Sequence, residues 1–352
     1  MADTVTIYEI AKALALSPST VNRALTGKTG VKPSTKELVI KTAEKMGYRQ
    51  NKAASMLSRR LLKVLVAVYD AVPEFTMDIR RGVEAALKKL ADFSVMGELC
   101  ELSREDDAEE CARKLWKSID EYAPDAVIIL PYSYGRQMQD TINEITEKGI
   151  PVATYVSDEP ASKRAFTVTR NGERCGAYAA ELLHRIMPKG KQVAIITHSK
   201  EGQVHASTIA GFTKFAHENA MNYIGAFEHY DDPDIAYVLA DTLLKRYPQI
   251  GGLYFNSANS VSFCRKLEEA GRIKDIRIIA SDISKPIAEM INEGKIDFSI
   301  FSDPYLQAKR CVEKMFLLLT EGRSVVPDRF LIEPQIIMKS NLDLYVNDEE
   351  KL

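Results

Sequence analysis

From about residue 62 to residue 340, short apolar runs alternate with amphipathic stretches of helical period, and nothing else in the chain narrows its fold as far. The runs lie at 64–68, 126–130, 152–155, 193–197, 252–255 and 277–280. A strand that is hydrophobic on consecutive residues, rather than on alternate ones, has both faces buried, as in a parallel sheet covered on both sides by helices. Stretches at 78–90, 105–122, 174–186, 208–219 and 235–247 supply those helices. The pattern predicts an α/β body of two doubly wound lobes, a division that uses all of the runs. In such sheets ligands bind outside the carboxyl ends of the strands, so the residues that follow each run are where a site is sought. With 352 residues and 45% hydrophobic content there is material for more than one packed core, and two or three domains are expected.

The first sixty residues have a different texture. Thr6-Ile7-Tyr8-Glu9 has the capping-box form, and Ile7, Ile10, Ala11 and Leu14 follow at helical spacing. Ser17 suits an N-cap, Pro18 the first helical position and Gly27 a left-handed stop, which predicts a second short helix. Ser34-Thr35-Lys36-Glu37 repeats the capping-box pattern ahead of a third helix through Leu38, Ile40, Ala43 and Met46, ended by Gly47. Three short helices with a tight first turn give a helix-turn-helix outline. This segment holds eleven Lys and Arg against four Asp and Glu, a net of +7, so the rest of the chain carries −9 to reach the total of −2. A basic head of this kind is drawn to a polyanion by counterion release, whereas the acidic body is repelled by it.

The string T-I-Y-E-I-A-K-A-L-A-L-S-P-S-T-V-N-R-A-L-T-G, followed by V-K-P-S-T-K-E-L-V-I-K-T-A-E-K-M-G-Y, resembles the DNA-binding head of the lactose-repressor (LacI-type) family. The resemblance implies that the second helix lies in the major groove, with Pro18, Ser19, Asn22 and Arg23 as base readers and Ser17 and Thr20 as phosphate contacts. Arg23 is the strongest candidate, because a guanidinium can take the O6 and N7 of one guanine together. Two departures from the family pattern, Asn22 where a serine is usual and Pro18, leave the operator sequence unread. Residues 48–60 resemble the family's hinge segment: Asn51 would cap a short helix, Ala54 would let two such helices approach, and Leu57 would be the wedge that enters a base step. Ser55 stands where the family commonly has an arginine.

The body resembles the two-lobed, type I periplasmic-binding-protein fold that this family fuses to its head. Residues 69–75 are similar to the family's P-x-F loop, which brings in Tyr69 and Phe75, and residues 150–164 follow the pattern I-P-V-x-T-x-x-S-D-x-P-x-S-x-R, which brings in Ser157, Asp158 and Arg164. Asn256 and Asp282 fall at the ends of later runs, and Ser302-Asp303-Pro304-Tyr305-Leu306-Gln307 matches a crossover turn. A carboxylate and an amide at facing strand ends suit a polyol, with the Phe75 ring over its C–H face. Where the family usually has a sugar-clamping arginine this chain has Thr208, so either His205 partly replaces it or the effector is not a typical aldose.

The resemblance thus implies an all-α helix-turn-helix head (1–48), a hinge helix and linker (49–61), a two-lobed α/β effector-binding and dimerisation domain (62–340) and a C-terminal tail (341–352). It implies a repressor that binds pseudo-palindromic operator DNA as a homodimer or tetramer, under control of a sugar or sugar derivative. The alternative is a solute-binding receptor for sugar transport, since the body fold is shared. No Walker loop, nucleophile elbow or zincin motif appears, so no catalysis is expected. The five cysteines (Cys100, Cys111, Cys175, Cys264, Cys311) show neither a C-x-x-C pair nor zinc spacing and are expected to be reduced packing residues, with no metal or other cofactor. No apolar stretch is long enough for a signal sequence or membrane span, so the expectation is a cytoplasmic protein with no membrane association.

Overall fold

The computed structural model describes residues 5–25, 30–46, 48, 60–70, 72–133, 135–257 and 260–346. The chain divides into two compact units, Met1–Arg60 and Leu61–Leu352.

In the first unit, helices α1 (Ile7–Leu14), α2 (Pro18–Leu25) and α3 (Pro33–Lys45) enclose a small core of Ile10, Ala11, Val21, Ala24, Val39 and Ala43. The capping box at the start of α1 is formed: Thr6 N donates to Glu9 Oε2 at 2.6 Å and Glu9 N to Thr6 Oγ1 at 3.4 Å. Ser17 caps α2, accepting from Thr20 N at 3.1 Å. The expected second capping box is a miss. Lys32, not Ser34, is the N-cap of α3, with no side-chain cap bond, because Pro33 takes the first helical position and begins the helix two residues earlier. The stops assigned to Gly27 and Gly47 lie outside the described residues.

The second unit is built on two six-stranded sheets. The chain first lays down β1 (Leu62–Asp70), β2 (Val95–Ser103), β3 (Ala126–Ile129), β4 (Val152–Val156) and β5 (Phe166–Arg170). It then crosses to a second lobe for β6 (Gln192–Thr197), β7 (Asn222–Glu228), β8 (Ile250–Phe255), β9 (Arg277–Ser281) and β10 (Phe298–Phe301), before returning β11 (Arg329–Ile332) to the first sheet and β12 (Gln335–Ile337) to the second. The spatial orders are β11-β5-β4-β3-β1-β2 and β12-β10-β9-β8-β6-β7, and all pairings are parallel except that of β10 with β12. Each expected run became a central strand. The strands that periodicity passed over, β2 and β7 among them, are at sheet edges or carry alternating polar residues, since an edge strand need not be apolar on both faces.

Helices α4 (Pro73–Leu90), α5 (Ala108–Tyr122) and α6 (Arg136–Glu147) cover the first sheet. Helices α7 (Gly172–Ile186), α8 (Gln203–Glu218), α9 (Pro233–Arg246), α10 (Ser260–Glu269) and α11 (Lys285–Asn292) cover the second. The last long helix, α12 (Pro304–Glu321), returns to the first lobe and packs along α4. There Gly82 is required, because a Cβ would stand 2.2 Å from the Tyr305 carbonyl oxygen. The five cysteines are buried and unpaired. Residues assigned to a tail are also packed: Leu342 is buried in the second lobe, and the Tyr345 ring lies 5.3 Å from that of Phe301.

Candidate functional site

A cavity of about 820 Å³ opens between the two sheets of the second unit, and residues at or just after the carboxyl ends of the strands form its walls. Tyr69 (end of β1), Tyr132 (after β3) and Ser157 (after β4), with Phe75 from the first turn of α4, make the first lobe's wall. The second lobe contributes His198 (after β6), Asp231 (after β7), Asn256 (after β8) and Asp282 (after β9), with His205 from α8, and Arg170 reaches the same stretch from the end of β5 in the first sheet. Parallel strands start on one side of each sheet and end on the other, so their ends collect side chains from distant parts of the sequence at one rim.

The wall is rich in buried polar atoms without partners among the described residues. Asn256 is fully buried, yet neither its amide oxygen nor its amide nitrogen has a hydrogen bond of acceptable geometry; Ser157 Oγ, His205 Nδ1 and Gln307 Oε1 are in the same condition. A buried polar group left without a partner costs about 1–3 kcal/mol, so a cluster of them facing one cavity marks a surface built to be completed by a ligand. Val156, beside Ser157, has φ of +66°, a left-handed conformation that a β-branched residue rarely adopts. That turn directs Ser157 N onto the Tyr155 carbonyl at 2.7 Å and leaves the hydroxyl at the cavity.

Charge in the second lobe's wall is organised around its histidines. Burial, then the positive charges of Arg170 and His198, push His205 well below the ordinary imidazole value, so its ring is neutral near pH 7. Burial likewise lowers His229, whose Nδ1 accepts from Asp231 N at 3.1 Å and whose Nε2 therefore donates to Ser257 Oγ at 3.0 Å. Burial opposes ionisation of Asp231, but the hydrogen bond and charge of His198, 3.3 Å from its carboxylate, outweigh it and hold the acid below its ordinary value. Asp282 turns one carboxylate oxygen toward the crossover, accepting from Ser302 N at 2.8 Å and Ser302 Oγ at 2.7 Å. Among the described residues no group of three or more His, Cys, Asp or Glu is placed to hold a metal ion.

In the first unit, α2 buries Val21 and Ala24 and turns Pro18, Ser19, Asn22 and Arg23 outward. These positions, spaced i, i+1, i+4 and i+5, share one helical face. Ser17 Oγ and Thr20 Oγ1 lie 2.8 Å apart at its start, beside the amide groups of the first turn.

Residues 64–324 match the family described as periplasmic binding protein domain. The chain belongs to that family. Residues 6–51 match the bacterial regulatory proteins of the lacI family, which places a lacI-type head in front of the periplasmic-binding-protein body. Catabolite control protein A of Priestia megaterium is 26% identical over 219 residues, and its counterpart in Staphylococcus aureus strain MRSA252 is 26% identical over 223. These matches span 62% of this chain and only 62% and 63% of those proteins. Among solved structures, GanP, a glucose-galactose binding protein of Geobacillus stearothermophilus, superposes with a TM-score of 0.73 at 24% identity, covering 81% of this chain and 99% of that one. A LacI transcriptional regulator, so described provisionally, from Bacteroides fragilis gives 0.69 at 18%, covering 81% and 100%. Both establish the two-lobed fold.

Within this periplasmic-binding-protein body, Tyr69, Phe75, Ser157, His205, Asn256 and Asp282 meet at the cavity, whereas Asp158, Arg164 and Thr208 do not. Arg164 holds Asp158 in an ion pair inside the first lobe, where Thr154 Oγ1 also donates to Asp158 at 2.9 Å. Thr208 is wholly buried and donates to the Val204 carbonyl at 2.8 Å; it lies in the seam between α7 and α8. One turn earlier on α8, His205 takes the place at the cavity. The sequence reading passed over Arg170, His198 and Asp231. Each sits at or just after a strand end: Arg170 and Asp231 escaped because β5 and β7 were not recognised, whereas His198 directly follows the expected run at 193–197 and was within reach of the strand-end rule. Asn51, Ala54 and Leu57 lie outside the described residues.

Proposed function

We propose that the protein is a transcriptional repressor whose operator affinity is set by a carbohydrate bound between the lobes of its body. The observation that carries this reading is the pairing of a lacI-family head, with its outward face of Pro18, Ser19, Asn22 and Arg23, with a cavity walled by partnerless buried polar atoms. On this reading α2 enters the major groove, Arg23 reads a guanine edge, and Ser17 and Thr20 hold phosphates. Asn51, Ala54 and Leu57 form the hinge contact in the minor groove.

A cytoplasmic homodimer presents two heads to a pseudo-palindromic site, and ligand between the lobes changes their relative orientation and hence the hinge pairing. In the cavity, Asp282 and Asn256 bridge hydroxyls while Phe75 covers an apolar sugar face. The rival reading, a receptor for sugar transport, draws support from the fold it shares with GanP.

Fluorescence anisotropy with labelled promoter fragments, over a range of salt and with sugars present or absent, separates the two. The regulator prefers particular fragments over random duplex, with a steep salt dependence, and operator and ligand shift each other's affinity by the same factor. Absence of any fragment preference in a folded sample defeats the regulator reading.

A further inference from the structure

We propose that the carbohydrate taken by this cleft carries an anionic group, a carboxylate or a phosphate, which docks where the lobes meet, against Arg170 of the first lobe and His205 and Asn256 of the second. The inference rests on reading the cleft as a carbohydrate site and narrows the class of ligand. Arg170 ends β5, is nearly buried, and donates through Nη2 to the Asn256 carbonyl at 3.1 Å, which fixes the guanidinium against Asn256. The Asn256 amide, fully buried at the cavity, presents two N–H donors that no acceptor among the described residues takes. The His205 ring stands on the adjoining helix, its centroid 5.7 Å from that of His198. Guanidinium, amide and imidazole therefore converge on one stretch of wall.

The acids nearest this stretch each have one carboxylate oxygen engaged elsewhere. Asp231 is held by His198 at 3.3 Å, and Asp232 caps α9, accepting from Asp234 N at 2.8 Å and Ile235 N at 2.9 Å. Asp282 belongs to the next strand end and anchors the crossover through one oxygen, which leaves the other for ligand hydroxyls.

The same field is felt by His205, whose basicity is lowered by Arg170 and His198 beyond the effect of burial. A neutral hydroxyl must donate as well as accept, whereas an anionic oxygen only accepts and can take several of these donors at once. Charge-assisted hydrogen bonds of this kind are roughly twice as strong as neutral ones. Thr208 at the usual arginine position thus does not leave the cleft without a guanidinium; Arg170 supplies one from the end of β5 in the first lobe.

The test is calorimetric titration of the full chain with D-galacturonate, D-gluconate and glucose 6-phosphate against D-galactose and D-glucose. At least one anionic sugar is expected to bind about ten-fold or more tighter than its neutral parent, and the carboxylate and phosphate arms identify which anion is used. Asn256→Asp, which keeps the side-chain shape but sets a carboxylate beside Arg170, should reduce that preference to about three-fold or less, and so should Arg170→Gln. If Arg170→Gln does not fold, the isosteric Asn256→Asp variant carries the test. Equal or tighter binding of the neutral parents overturns the anionic assignment and leaves the carbohydrate site standing. Binding of neither class overturns both.

Discussion

Arg164 grips Asp158 through two parallel hydrogen bonds, Nη2 to Oδ2 at 2.8 Å and Nε to Oδ1, with their side chains 4% and 0% exposed. Both residues lie in a stretch that by resemblance belongs to the ligand site, yet they tie the loop after β4 to Asp328 just before β11, since Arg164 Nη1 also reaches the Asp328 carbonyl at 3.3 Å. Breaking a buried pair leaves one uncompensated charge. Arg164→Ala should therefore destabilise the body by about 3–5 kcal/mol in urea denaturation while ligand affinity of the folded fraction stays within about two-fold. Arg164→Lys should rescue little, because an ammonium cannot make the bidentate contact. A large loss of affinity with normal stability would return both residues to the site.

Asn256 should behave in the opposite way. Replacing a buried amide that has no partner among the described residues by an apolar group of similar size removes no hydrogen bond of the side chain to them, so Asn256→Leu is expected to keep or raise the melting temperature. The same change should abolish the ligand-induced shift in melting temperature, measured side by side with the wild type. A retained shift would show that the amide does not face the ligand.

Close packing of α7 on α8 sets where His205 stands. A Cβ at Gly211 would lie 2.0 Å from the Glu173 carbonyl oxygen, and one at Gly176 would lie 2.0 Å from that of Thr208. Gly211→Ala must push the helices apart and is expected to cost about 1–3 kcal/mol or more in denaturant unfolding. It should also weaken ligand binding, since the helix that carries His205 moves with it; wild-type stability would contradict the contact.

In the head, Arg23→Ala should reduce discrimination between operator and random duplex by about 1–3 kcal/mol, with a smaller loss of non-specific affinity, as read by anisotropy competition. Ser17→Ala removes the cap on Thr20 N and should instead destabilise the head by about 1 kcal/mol in thermal melting.

Stability should fall on mild acidification. His205 and His229 have folded-state proton affinities below the ordinary value of 6.5, so the unfolded chain binds more protons once pH drops through that value, and unfolding is favoured progressively below it. Asp231 is lowered too, but its contribution is complete above the ordinary carboxylate value of 3.8 and is lost only below that, outside this window. The melting temperature of the wild type should thus decrease between pH 7 and pH 5, and less so in a His205→Phe variant. Parallel curves for the two proteins would remove His205 from the explanation.

Local chemistry made some elements readable in advance. The central strands are apolar on consecutive residues because both faces are covered, and Thr6 and Ser17 announce their helices because the first amide groups of a helix need acceptors nearby in sequence. The edge strand β2 was not readable by the same rule, since Val95, Cys100 and Leu102 are buried while Met96 and Glu101 face outward. Nor was the true start of α3, where proline outweighed a capping pattern.

The amino-acid order alone determined a basic helix-turn-helix head, an α/β body of two wound lobes, and strand ends as the place for a site, because periodicity and capping act over a few residues. Only the tertiary structure decided which strand-end residues meet. Asp158 and Thr208 carry polar groups at suggestive positions, but a buried pairing with Arg164, itself tied to Asp328 far along the chain, in one case and a helix seam in the other take them out of the cleft. Arg170 and His198 enter it because parallel strands from both lobes finish at one rim. That convergence is set by chain crossovers far apart in the sequence, between β5 and β6 and again around β11, and no short stretch of sequence contains it.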